Sequence, residues 1–76
     1  MIQNKLIGLN IKNSRKKLGL TQEQFSAQLQ IAGCDISRGT LGKIEIGFRE
    51  LRIVELPIFL KLLKINLDDL YKNNEK

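Results

Sequence analysis

The residues whose types and spacing can do chemistry lie between Thr21 and Gly47, and that chemistry is the recognition of an anion. Leu41 and Ile44, one turn apart, mark the inner side of a short helix that opens at Ser37. Helical geometry then turns Arg38, Gly39, Gly42, Lys43 and Ile46 outward. The outer face carries two cations and no acid. A short helix of this kind fits a DNA major groove, which is about 12 Å wide, where arginine and lysine pair with O6 and N7 of guanine. Thr40, at the edge of the face, can reach a phosphate or a thymine methyl. Gln22 has a different opportunity. It begins the preceding helix, where free backbone N–H groups and the helix dipole attract phosphate, and its amide can add one more hydrogen bond. Such contacts position a protein on a duplex without reading bases.

Five short helices are expected to position these residues. The first, over 5–18, sets Ile7, Ile11 and Leu18 on one face, interrupted by Ser14. Gly8 weakens its first turns by about 1 kcal/mol relative to alanine, and Gly19 suits a left-handed C-cap. The second starts at Thr21, where Thr-Gln-Glu-Gln is a capping box. Phe25 and Leu29 are its core pair, and Gly33 ends it. The third is capped by Ser37 and ends at Gly47, with Ile36 and Leu41 forming a hydrophobic staple. The fourth, over 53–63, stripes Ile53, Leu56, Phe59, Leu60 and Leu63; Pro57 makes its earliest residues an irregular or 3₁₀ turn. The fifth follows Asn66 as N-cap with Asp69 behind it, and Leu67, Leu70 and Tyr71 close the core.

Composition narrows the function. The chain has 76 residues, 42% hydrophobic and 28% charged, which suits one small globular domain. The ordered core is expected over about 5–71, with a tail over 72–76 that frays. There is no histidine and one cysteine, Cys34, so histidine catalysis, a Cys/His zinc site and an intramolecular disulfide are all excluded. Cys34 reads as an inert, reduced loop thiol, and Asp68 and Asp69 as first-turn helix charges. No nucleophile–base pair or metal cluster is visible, so neither an enzyme nor a cofactor or metal dependence is expected, and no small-molecule ligand is evident. The N-terminal stretch is polar-interrupted, unlike a signal peptide, and no apolar run reaches the ~18 residues of a membrane span. A cytoplasmic, nucleoid-associated protein without membrane contact is the expectation.

The net charge is +5. Residues 1–20 carry +5, 21–36 carry −2, 37–52 carry +2 and 53–76 none. The excess therefore sits in the first helix and the middle of the chain, as a polyanion partner requires. Solubility alone is the competing reading of that charge.

The chain resembles the Cro/repressor-type helix-turn-helix domains, the lambda-repressor-like or xenobiotic-response-element family. The residues that carry the resemblance are IGLNIKNSRKKLGLTQEQFSAQLQ, then ISRGTLGKIEIG, then LKLLKINLDDLY. Its most specific parts are Arg15, the run Leu18-Gly19-Leu20-Thr21-Gln22, and Ser37 through Gly47. The resemblance implies an all-α, five-helix lambda-repressor-like domain. It implies that Gln22 grips a phosphate, that Arg38, Gly39, Gly42 and Lys43 face bases, and that Arg15 and Glu45 form an ion pair tying the first helix to the third. Ser37, Thr40 and Arg49 complete the expected DNA-contact set. Two departures stand out. The turn between the second and third helices is lengthened over 30–36, with Ile31 and Ile36 expected to anchor it. Glycines also occupy two base-reading positions, which fits either close backbone approach to DNA or a weak reader served by Arg38 and Lys43 alone.

These readings point to sequence-specific binding of double-stranded DNA by a small transcriptional regulator, a repressor, acting as a homodimer. The alternative is a protein-interaction module of the same fold, such as an antitoxin or antagonist, for which DNA contact is secondary. Structured RNA fits less well, because aromatic residues for stacking are 5% of the chain.

Overall fold

A computed structural model describes residues 2–73. Their regular structure is entirely helical: α1 (Ile2–Lys17), α2 (Gln22–Ile31), α3 (Arg38–Glu45), α4 (Leu56–Leu63) and α5 (Leu67–Leu70). The starts are set by local cap chemistry. Thr21 Oγ1 accepts from Gln24 N at 3.0 Å while Thr21 N donates to Gln24 Oε1 at 2.9 Å, a complete capping box. Ser37 Oγ accepts from Thr40 N at 3.2 Å, and Asn66 N donates to Asp69 Oδ2 at 3.0 Å. Each bond satisfies a backbone or side-chain group that a helix end otherwise leaves open.

The core lies where α1, α2, α3 and α4 converge. Ile11, Phe25, Leu29, Ile36, Leu41, Ile44, Phe59, Leu63 and Leu70 are all buried. The Phe25 and Phe59 rings meet edge to face, with centroids 5.6 Å apart. Three residues expected in this core lie outside it: Ile53 is 85% exposed, Tyr71 50% and Leu67 44%. The reason is helix length. Glu55 N and Leu56 N both donate to Arg52 O, at 2.9 and 3.1 Å, so 53–55 form a tight turn and α4 proper starts only at Leu56, with Pro57 in its first turn. Ile53 thereby leaves the inward stripe of Leu56, Phe59 and Leu63. The four-residue α5 turns Leu70 inward and leaves Leu67 and Tyr71, four apart, on its outer side.

The connection over 32–37 is anchored differently from the expectation. Ile31 is 87% exposed, and Cys34 and Ile36 are the buried anchors. Gly33, at φ +91°, takes the left-handed position after α2. Its N–H donates to Gln30 O at 3.0 Å and Cys34 N donates to Leu29 O at 2.8 Å, a Schellman closure that swings Cys34 back onto the core. Gln30 Nε2 donates to Ile36 O at 3.2 Å and braces the far end of the loop.

Asn10 and Gly8 make two of the contacts that fix α1. Asn10 is buried, and its Nδ2 donates to Leu70 O at 2.7 Å and Lys72 O at 2.9 Å. The chain is thus tied at Lys72, within the stretch expected to fray; residues 74–76 of that stretch lie outside the described residues. Gly8 is the second contact. A Cβ there would fall against the carbonyl oxygens of Ile44 and Glu45, the latter at 2.6 Å, so α1 crosses α3 backbone to backbone. Helix propensity alone makes Gly8→Ala stabilising by about 1 kcal/mol. The close crossing reverses the sign: destabilisation by about 1–3 kcal/mol is expected from overpacking. Urea denaturation checks it, and a higher midpoint for the variant would refute the tight crossing.

Candidate nucleic-acid interface

The inner side of α3 is Leu41, Ile44 and Glu45, all buried. Arg38, Gly39 and Lys43 are exposed, and Thr40 and Gly42 are half-buried. At about 100° per residue, Lys43 and Gly39 point directly away from the core, whereas Arg38 and Gly42 lie on the flank toward α2. Arg38 there shares a shallow concavity with Arg15, Thr21, Gln22 and Glu23, at the N-terminus of α2. Gly42 aims its absent side chain at Gln22, whose Nε2 and Oε1 lie 3.7 and 3.8 Å from an ideal Cβ. The sequence set all of these positions on one outward face; the geometry divides them between an outer and an α2-facing side. Thr40 and Ser37 are occupied with each other, since Ser37 Oγ donates to Thr40 Oγ1 at 3.1 Å while serving as the cap.

Beneath this surface, Glu45 joins three helices. Arg15 of α1 donates to both of its oxygens, Nε to Oε2 at 2.7 Å and Nη2 to Oε1 at 3.0 Å. Gln22 Nε2 of α2 donates to Oε1 at 3.0 Å. The third arm of the guanidinium, Nη1, donates to Leu20 O at 2.7 Å, in the turn that feeds α2. The pair is 7% and 1% exposed at the side chains, and among the described residues no buried side-chain polar atom lacks a partner. The ion pair is thus a planar two-point clamp in a water-poor site. Its link to Gln22 was missed in the sequence, as was the Leu20 carbonyl. The available signal was the acid in Lys43-Ile44-Glu45, adjacent to a core isoleucine and therefore in need of donors.

Arg49, expected among the DNA contacts, is paired within the fold. Its Nη1 and Nη2 donate to the two oxygens of Glu55, both at 2.8 Å, and Nη1 also donates to Glu50 O at 2.7 Å. Glu55 is buried, and a buried carboxylate requires a cation. The bidentate arginine holds the Glu55 carboxyl below its ordinary pKa, against the opposing push of burial, with the Arg52 N–H helping. The same pair raises the Arg49 pKa. Cys34 nearby is pushed up, first by burial and then by the Glu55 charge, so its thiol stays protonated and a poor nucleophile.

A depressed carboxyl pKa contributes stability that is fully present above the unfolded value, here 4.5, and is lost as pH falls through the folded value. The gap in melting temperature between the wild type and Glu55→Gln is therefore expected to be widest at neutral pH and to close below pH 4.5. A gap that stays constant down to acid pH would remove the Arg49–Glu55 pair as its source.

Against this geometry the comparison with known families is decisive. Residues 11–70, which span α2 and α3 and most of the chain, match the family model described as helix-turn-helix. The chain belongs to the helix-turn-helix family. Searches among curated proteins and among solved structures gave no match. In helix-turn-helix proteins the first helix of the motif crosses the phosphate backbone and the second enters the groove; α2 and α3 stand in those two places in chain order. The lengthened connection over 32–37 leaves that pairing in place, because Cys34 and Ile36 return it to the shared core. Among the described residues no helix is long and apolar enough to cross a membrane, and no group of three or more Cys, Asp or Glu is placed to hold a metal ion.

Proposed function

We propose that this helix-turn-helix protein is a sequence-specific regulator of transcription, a repressor that binds double-stranded DNA in the cytoplasm as a homodimer. One observation carries the reading: Arg38 and Lys43 are free on the exposed sides of a helix whose other side is fixed to the core by Leu41, Ile44 and the Glu45 clamp. A rigid helix presents side chains to base edges with little ordering cost, which is what base reading needs. Gln22 and the free N–H groups that open α2 supply the phosphate contacts that set register. Docking is the whole mechanism, and no covalent step enters. A homodimer fits because a single small module buries little surface on DNA, while two half-sites double it.

Selection of bound sequences from random duplex DNA tests the reading. The expected product is an inverted repeat with half-site centres one helical turn apart, and affinity should fall steeply with salt, by a log–log slope of roughly −0.9 per neutralised phosphate. Unenriched sequences together with salt-insensitive binding would reject DNA as the partner and favour the antitoxin-like or antagonist reading.

A further inference from the structure

We infer that Gly42 and Glu45 are positioning residues for Gln22, so that the phosphate grip on α2 is held in place by α3 itself. The inference rests on the DNA-binding reading above and names what that reading leaves open, the role of a glycine in the middle of α3. Gln22 has two neighbours on α3. The Glu45 carboxylate accepts from its Nε2 at 3.0 Å, which fixes which end of the amide faces the protein, since a carboxylate accepts and does not donate. That bond uses one of the two amide hydrogens and leaves the other for a phosphate. Gly42 is the second neighbour: its missing Cβ points at the amide, with both terminal atoms within 3.8 Å of the ideal position. The amide therefore lies flat over Gly42 with its nitrogen pinned by Glu45, one turn further along. Gln22 also borders the concavity at the start of α2, beside Arg15 and Arg38, where free N–H groups face out.

Size at position 42 then controls the grip. Alanine places its Cβ at ordinary contact distance from the amide, 3.7 Å, and leaves Gln22 where it is. Leucine needs the space that the amide occupies and expels it. Gly39 differs, since a Cβ there meets nothing within 4 Å, so packing within the chain asks for a small residue at position 42 and not at position 39. Gln22 is neutral, so its loss lowers affinity for every sequence alike and leaves the salt slope unchanged. Loss of a cation would change the slope.

A double-mutant cycle tests this, using the full chain, a selected operator and a scrambled duplex of the same length. Gly42→Ala should weaken binding far less than Gly42→Leu does. Gln22→Ala and Gly42→Leu should each weaken binding about tenfold, the worth of one hydrogen bond to a charged group, with the operator-to-scrambled ratio and the salt slope preserved. The double variant, Gln22→Ala with Gly42→Leu, should bind no more weakly than Gln22→Ala alone. Circular dichroism establishes that each variant is folded; leucine in place of glycine favours the helix by propensity. Multiplicative losses of about a hundredfold in the double variant, or a Gly42→Leu effect confined to the operator, would overturn the inference and make position 42 a direct DNA contact. Absence of any operator preference in the wild type would instead bring down the DNA-binding reading. For Glu45, the Gln22 side-chain amide signals in nitrogen–proton spectra should shift in Glu45→Gln, and unmoved signals in a folded Glu45→Gln would remove its part.

Discussion

Glu45→Ala should cost about 3–5 kcal/mol of stability, the range for removing one partner from a buried ion pair. The size follows from what remains. Arg15 is 5% exposed and loses both Nε and Nη2 partners, while Gln22 loses its acceptor. A guanidinium left in that site must either draw in water or leave it, and leaving breaks its bond to Leu20 O and loosens the turn into α2. A domain of this size is stable by only ~4–11 kcal/mol, at 0.05–0.15 kcal/mol per residue, so the variant should be partly unfolded at room temperature or melt tens of degrees lower. Glu50→Ala is the control: Glu50 is an exposed acid on the loop after α3, and its removal should change stability by less than about 0.5 kcal/mol. Thermal melts followed by circular dichroism decide. Equal melting temperatures for the two variants would mean that the clamp adds nothing to the fold. A double variant replacing Arg15 and Glu45 with apolar residues of similar volume should recover much of the loss, because the penalty lies in the abandoned charge more than in the pair itself.

What was legible in the sequence divides along the range of the interactions. Caps act over three or four residues, so the openings at Thr21, Ser37 and Asn66 could be read from neighbouring side chains and lie where they were expected. Buried pairs within one helix, Phe25 with Leu29 and Leu41 with Ile44, were legible for the same reason. Gly8 was not: in sequence it is only a weak helix former, and its purpose lies in carbonyls of α3 far along the chain. Ile53 and Tyr71 lie outside the core because an apolar stripe says which residues share a face but not where a helix begins or ends; α4 begins only after a turn closed on Arg52 O, and Tyr71 caps the short α5. The pairing of Arg49 is not legible in the sequence, because its partner Glu55 lies across an irregular turn, where no fixed spacing announces a pair. The one signal was an acid set within an apolar run, Ile53-Val54-Glu55-Leu56. The clamp of Arg15 and Glu45 came from the family resemblance, and only the folded chain adds Gln22 to it.

Arg38→Ala and Lys43→Ala should each lower affinity for the selected operator by about 1–3 kcal/mol, the discrimination one good base contact supplies, while leaving the helical signal unchanged. Both side chains are exposed and neither takes part in the core or the clamp, so a folding defect cannot produce the loss. The two variants should differ in what they relax. The cations are five positions apart on α3, about 7.5 Å along the axis and about 140° around it. Base pairs rise by 3.4 Å, so the two side chains cannot serve the same pair, and each substitution should erase preference at its own position, about two steps from the other. Lys43, which points straight out from the core, should be the one that reaches the groove floor, and Arg38, which leans toward α2, should read from the edge beside Gln22. Each loss also removes one positive charge, so a contribution to phosphate neutralisation would appear as a shallower salt slope, by about 0.9 per contact. Competition between operator variants, mutated one pair at a time, separates the two effects. If either substitution weakened all sequences equally and preserved every preference, that side chain would be a backbone contact. If both did so, base reading would have to come from outside α3, and its outward face would be no more than a charged surface.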